Sequence, residues 1–521
     1  MATSKRKSTE PAEGTLAEVP DVQDYDLIRE SMTIYGTEVN LNRSVPDIAD
    51  GLKPVHRKLL VALHRVGGTS GKMLKAGRVV GECIGVLSPH GDVGTKVAMD
   101  TLVNQGVPTM LGKGNWGGIT STAGAMRYIN AGFNNYGRSF FVPDYLAVVP
   151  RTPNYDGSTT EPLYLPALLP NLLLNANEGI GVGIRTSIPA FTPESLLPVM
   201  AAMLRGTKFS PAALAKKLVF SHPYGGRVLK TPTNLENIQK LFEGTTGKVA
   251  WVGEYSADFA KKEIILLKYP PGFDPVKVVD EKIKLIEDVD RVGAGKGVSY
   301  VIRVNKNCNL KDFEAVVVQI KKMLTVTVHY YLYVTERKIR PDSDDEYDVL
   351  FHNLTIHQIM VKWLKGRIRL EADSLDYRIE KVSKAIHLMK LLRFAALNLD
   401  KVKYCLEQKD AAAAMVKVLK ISIEDANVLL DRKLRNLSRL DQDKIAEKLQ
   451  GAVNYRLGLT KRREDPKEEV AKFLEDAATQ FEQYERWSGT HQRNFKRNLI
   501  TVKVESSSDD SSESEAENAE E

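Results

Sequence analysis

Arg127 and Tyr128 stand side by side after a glycine-rich approach, in LGKGNWGGITSTAGAMRYINAGF over residues 111–133. A tyrosine hydroxyl ordinarily titrates near 10 and attacks weakly at neutral pH. One that attacks a phosphate therefore needs cations to stabilise its oxyanion and the crowded phosphorus. Arg127 is the nearest candidate for that role. Other residues with chemical potential fall away on spacing. The Gly-Lys pairs at 71–72, 112–113 and 295–296 lack the GxxxxGK[ST] pattern of a phosphate loop. DSDDEYD at 342–348 lacks the glycine and glutamate of an EF-hand and reads as a charged loop. Cys83, Cys308 and Cys405 are far apart with no CxxC pair, which argues against zinc and a disulfide framework and fits a reducing compartment.

The elements that must position such a pair read as follows. Residues 1–22 are polar and residues 491–521 end in a Ser/acid tail, so both are expected to be disordered. Pro54 suits a first helical position, with Leu59, Leu60 and Leu63 repeating behind it. Further helices are expected near Arg78–Val86 and Thr95–Val103. With the glycine-rich hairpin sequence NANEGIGVGI from Asn175, they suggest a winged helix-turn-helix unit. From about 215 to 335, VAWVGEY, EIILLKY, VSYVIRV and VTVHYYLYV read as strands interleaved with amphipathic helices, an α+β unit. Val361, Ile368, Leu375, Val382 and Met389 then recur seven apart, with Ala372, Ile379 and Ile386 between them, predicting a coiled-coil helix. Its partner is expected in the helical stretch Gln442–Trp487, interrupted or jointed at Pro466, with residues 400–441 as a small helical globule at the far end. An ordinary helical bundle shows the same spacing.

The chain has 521 residues, 43% of them hydrophobic, enough for several cores. Its net charge of +7 conceals a division: residues 505–521 hold eight acids and no base, leaving 73 basic against 58 acidic residues before them, a balance of +15. A basic body fits a polyanionic partner, although modest basicity also serves solubility. No apolar run reaches the ~20 residues that span a bilayer, and the N-terminus has no signal-peptide core. A soluble intracellular protein is expected. Lys5-Arg6-Lys7 reads as a solvated basic tail or a nuclear signal.

In order and spacing, LNRSVPDIADGLKPVHRKLL (41–60), GRVVGECIGVLSPHGD (77–92), GKGNWGG (112–118), AMRY (125–128), PNYDGS (153–158), LLPNLLLNANEGIGVGIRTSIP (168–189) and LLDRKLRNLSRLDQDKI (429–445) resemble the breakage-reunion core of type IIA DNA topoisomerases. That family includes the gyrase A subunit, the topoisomerase IV C subunit and the medium subunit of large-phage topoisomerases. The resemblance spans nearly the whole folded chain. It implies a multidomain α+β fold: a winged-helix cleavage domain over 23–190, an α/β tower over 191–345, and a coiled coil with a helical dimerisation gate over 346–490.

The same resemblance implies that Tyr128 attacks a backbone phosphate and keeps the 5′ end as a phosphotyrosine, so that two chains cut opposite strands and pass a second duplex. Arg127 and Arg43 would clamp the scissile phosphate, and His90 would contact it or move a proton. Lys53, His56 and Lys58 would hold the DNA backbone without reading sequence, and Ile180 would wedge between base steps and bend the duplex. Mg2+ and ATP would both come with a gyrase B-like partner subunit, docked partly through Asp24–Asn42, in a heterotetramer around a homodimer. The stretch after about residue 490 is expected to leave no room for a β-pinwheel, so relaxation and decatenation are expected. The alternatives are a cleavage-dead DNA-binding paralogue and a gyrase-type supercoiling subunit. A large-phage origin, and hence a bacterial host cytoplasm, fits the drift of the motifs. Ser88 stands where the family has its first histidine, DVGTKVAMD is about three residues longer than usual, and Leu111 replaces an acid.

Overall fold

A computed structural model describes residues 24–119, 121–275, 283, 285–292, 299–340, 347–431 and 442–488. The expected disordered tails, Leu434, Leu437 and Leu440 of LLDRKLRNLSRLDQDKI, the pair Gly295-Lys296 and most of DSDDEYD lie outside the described residues. The fold mixes helices with several antiparallel sheets, as the α+β reading expects.

The first third is built on helices Pro54–Arg65, Ala76–Glu82 and Asp92–Asn104. Pro54 presets the first turn, where a backbone N–H is not needed, and Leu59, Leu60 and Leu63 are fully buried on one face. The second helix runs into a π-helical turn, Cys83–Leu87. Against these helices lies a three-stranded sheet in the order Leu74–Lys75, Asn130–Phe133, Met110–Lys113. The glycine-rich hairpin, Asn177–Ile180 with Arg185–Ile188, is not part of that sheet. It pairs through Ser187 with Tyr331 and extends a five-stranded sheet that includes Thr246–Val252 and Thr325–Tyr331.

The strands expected over 215–335 therefore divide between two sheets. Glu254–Asp258, Glu263–Lys268, Ser299–Val304 and Ile286–Val292 form a four-stranded sheet in that order. It packs with the helix Leu310–Met323 around Ile264, Ile302, Phe313 and Ile320 in a core of its own. The chain crosses between the sheets at Gly253, whose N–H donates to the Leu324 carbonyl at 3.0 Å.

Thr355 starts the long helix Ile356–Leu397 with a reciprocal cap to Gln358. At 42 residues it extends about 63 Å. Its first turns sink Ile356, Ile359, Met360 and Trp363 into the main core. The buried Arg367 and Glu371 pair at 2.9 Å beneath Tyr145, whose hydroxyl donates to Glu371 at 2.6 Å. Of the expected seam, Leu375 and Ile386 are buried and the other six residues half-buried. The helix Gln442–Glu464 packs alongside. Pro466 is a junction: a new helix, Pro466–Ser488, begins there and returns Val470, Leu474 and Phe481 to the main core against Pro193–Leu204. Arg205 ties this return by ion pairs to Glu468 and Glu475. Helices Leu399–Leu406, Ala411–Leu419 and Ile423–Leu430 enclose a third small core at the far end.

Candidate active site

Tyr128 projects from a turn held on both sides. Its own N–H donates to the Ala125 carbonyl at 2.9 Å. The next residue, Ile129, is buried and its carbonyl accepts from Ala76 at 3.1 Å. The strand Asn130–Phe133 then locks into the three-stranded sheet. The glycine-rich approach folds onto Trp116: a Cβ on Gly112 would lie 2.5 Å from the indole ring, so only glycine fits. Tyr128 is 69% exposed, although a large aromatic ring normally seeks cover. The Arg127 guanidinium lies 5.0 Å from the centre of its ring, and both groups face solvent.

Arg43, His90 and Lys58 meet elsewhere, around a cavity of about 270 Å³ that Ser88, Tyr155 and Glu161 also line. Arg127 and Tyr128 do not line it. Arg43 stands on the π-helical turn Asn40–Ser44, and His90 follows the turn Cys83–Leu87; both side chains are exposed. Lys58 is half-buried, donating to the Leu87 carbonyl at 2.5 Å and pairing with Glu161 at 3.2 Å.

The remaining candidates separate sharply. Ile180 is 82% exposed at the end of its hairpin strand. Its carbonyl accepts from the Ser44 hydroxyl at 2.8 Å, so the hairpin is fixed to the turn that bears Arg43. Lys53 is half-buried and donates to the Glu178 carbonyl, and burial lowers its pKa. His56 is inside the protein, 7% exposed. Burial, reinforced by the charge of Lys53, pushes its pKa down to about 3, and its Nδ1 has no hydrogen-bond partner among the described residues. The chain therefore presents a neutral, buried ring at 56 where the sequence reading expects a backbone contact.

Several residues of the site escape the sequence reading because they act from inside. Asp50, fully buried, accepts from Arg57 Nε at 2.6 Å and from the Leu52 and Leu165 backbone at 3.0 Å each. Asp47, also fully buried, pairs with Arg337 at 2.8 Å. Burial and the charge of Asp50 push the Asp47 carboxyl up, against the pull of Arg57 and Arg337. Directly after Asp50, Gly51 adopts φ +66°, and a Cβ there would lie 2.3 Å from the Leu172 amide nitrogen. Much of the VPDIADGLKPVHR motif thus forms a buried ionic frame that seats the 40–58 segment. Its signal in the sequence is two acids three residues apart within an otherwise apolar run.

The chain belongs to the family of the DNA gyrase/topoisomerase IV A subunits, whose model matches residues 43–477. It is 25% identical over 447 residues to the DNA gyrase A subunit of Staphylococcus aureus, covering 82% of this chain and 49% of the relative. It is 26% identical over 441 residues to the DNA topoisomerase 4 A subunit of Haemophilus influenzae (82% and 57%). With the topoisomerase 4 A subunit of Salmonella typhimurium it is 28% identical over 431 residues (79% and 55%). The chain spans about half the length of the curated relatives it matches.

Proposed function

We propose that this chain is the DNA breakage-reunion subunit of an ATP-dependent type IIA topoisomerase, relaxing or decatenating DNA through a transient double-strand break. The observation that carries the reading is an exposed Tyr128 under the Arg127 guanidinium, on a turn fixed by a buried sheet. The Tyr128 hydroxyl loses its proton and its oxygen bonds to phosphorus, while the bond from phosphorus to the 3′ oxygen breaks and that oxygen takes up a proton. Reversal reseals the strand with no net change in bonds. Arg127 supplies charge at the nucleophile. Arg43 and Lys58, with His90 beside them, offer phosphate contacts in the cavity. Because Tyr128 lies outside that cavity, a second copy of the chain is the natural means of completing the site. Ile180 then acts as the wedge that bends the duplex.

The three helices and adjoining sheet support a winged-helix reading of the cleavage unit. The half-buried heptad residues support a coiled coil carrying a dimerisation gate. The helix Asp24–Val39 exposes Tyr25, Ile28, Met32 and Tyr35, an apolar stripe suited to docking the gyrase B-like partner. Among the described residues no group of three or more His, Cys, Asp or Glu could hold a metal ion. We assign Mg2+ and ATP to that partner. No helix among the described residues is long and apolar enough to cross a membrane. A DNA-associated place in a bacterial host cytoplasm fits the reading.

The test mixes the chain with its partner subunit, magnesium and supercoiled plasmid, and traps with detergent. The wild-type chain should become covalently linked to DNA and Tyr128→Phe should not. Covalent complex that persists in the variant overturns the assignment.

A further inference from the structure

The turn that bears His90 is held by a short hairpin outside the three-helix unit. Strands Arg151–Pro153 and Thr160–Pro162 pair so that Thr152 faces Glu161. A helical segment leaves its last carbonyls without internal partners, and here two in succession are satisfied from outside. The Asn154 side-chain amide, at the hairpin's own turn, donates to the Val86 carbonyl at 2.6 Å. Lys58 donates to the Leu87 carbonyl at 2.5 Å. Ser88, Pro89 and His90 follow directly, and all three line the cavity.

Lys58 has three N–H donors and no acceptor. The Leu87 carbonyl takes one, and the Glu161 carboxylate, 3.2 Å away and largely covered, takes a second. We propose that Glu161 is a positioning residue for the phosphate site: it and the Leu87 carbonyl fix Lys58 so that the third N–H is held for a phosphate oxygen in the shared cavity. A lysine free on its four-carbon stem loses rotamer freedom when it binds. Held by two partners, Lys58 has lost that freedom before DNA arrives. Burial pushes the Glu161 carboxyl up, while Lys58, Arg57 and Arg337 favour its ionised form. The inference rests on the proposed DNA-cleaving function and adds to it a residue that touches no substrate and acts through Lys58.

The experiment measures binding of the full-length chain to a short fluorescent duplex as a function of salt. Losing one phosphate contact lowers the slope of log K against log salt by about 0.9. Lys58→Ala should show that loss and weaken binding about tenfold to a hundredfold, the range of a charged hydrogen bond. Glu161→Ala should lower the slope by the same amount, and the double variant should fall no further than Lys58→Ala alone. Glu161→Asp keeps the charge but withdraws it by one methylene. It should behave like Glu161→Ala, and it serves where the alanine variant fails to fold. A wild-type slope in Glu161→Asp, or a double variant that loses two contacts, overturns the inference. A wild-type chain with no salt-dependent duplex binding would instead overturn the proposed function.

Discussion

Burial of His56 makes the protein acid-sensitive in a way that can be calculated. The folded-state pKa lies near 3 against an ordinary value of 6.5, with burial as the main cause and the Lys53 charge as the second. The unfolded chain therefore binds a proton more readily than the folded one. The contribution of the neutral ring is fully present above the unfolded value and is lost as pH falls through 6.5 toward 3. At pH 5 the linkage relation gives a loss of about 2 kcal/mol from this one residue, since each pKa unit is worth about 1.4 kcal/mol. Urea unfolding of the wild type and of His56→Gln, each at neutral pH and at pH 5, isolates it. The wild type should lose about 2 kcal/mol more than the variant over that interval. Equal losses in the two proteins would refute the reasoning, as would a histidine NMR titration that finds His56 near its ordinary pKa. A ring exposed to a DNA phosphate would have its pKa raised, so the titration also separates an internal from a phosphate-contacting role.

Two further perturbations separate residues that serve the fold from residues that serve the substrate. Ile180→Ala removes a side chain that is 82% exposed, so stability should stay within about 0.5 kcal/mol while duplex bending, read by energy transfer between labelled DNA ends, is lost; bending that survives removes Ile180 from the wedge role. Asp50→Ala leaves Arg57 as an unpaired buried charge and should cost about 3 to 5 kcal/mol in denaturant unfolding, whereas a cost under about 1 kcal/mol would mean that the ionic frame is not closed.

Local chemistry carried much of the architecture into view. Pro54 before a leucine ladder, Pro466 between two helical stretches, and alternating runs such as EIILLKY each report a local preference, and each corresponds to an element of the structure. The exposed pair Arg127 and Tyr128 was legible for the same reason, since adjacent residues share a turn whatever the rest of the chain does. His56 was not legible. A histidine three residues into a helix has the same letters around it whether the helix face is solvated or closed, and here it is covered. The hairpin at 177–188 was recognisable as a hairpin, but its sheet was not, because the partner Tyr331 lies more than a hundred residues away.

The sequence by itself determined the segments with fixed periodicity, the family motifs and the adjacent pair Arg127 and Tyr128, because these depend on neighbours a few residues apart. Tertiary structure alone decided which charges are free and which are spent. Asp47 and Arg337 find each other across the chain, as do Lys58 and Glu161, and Asp50 closes on Arg57 against the distant Leu165 backbone. A charge costs too much to bury without a partner, so the packing of remote segments leaves Arg43 and Arg127 facing outward and seals His56 within as a neutral ring.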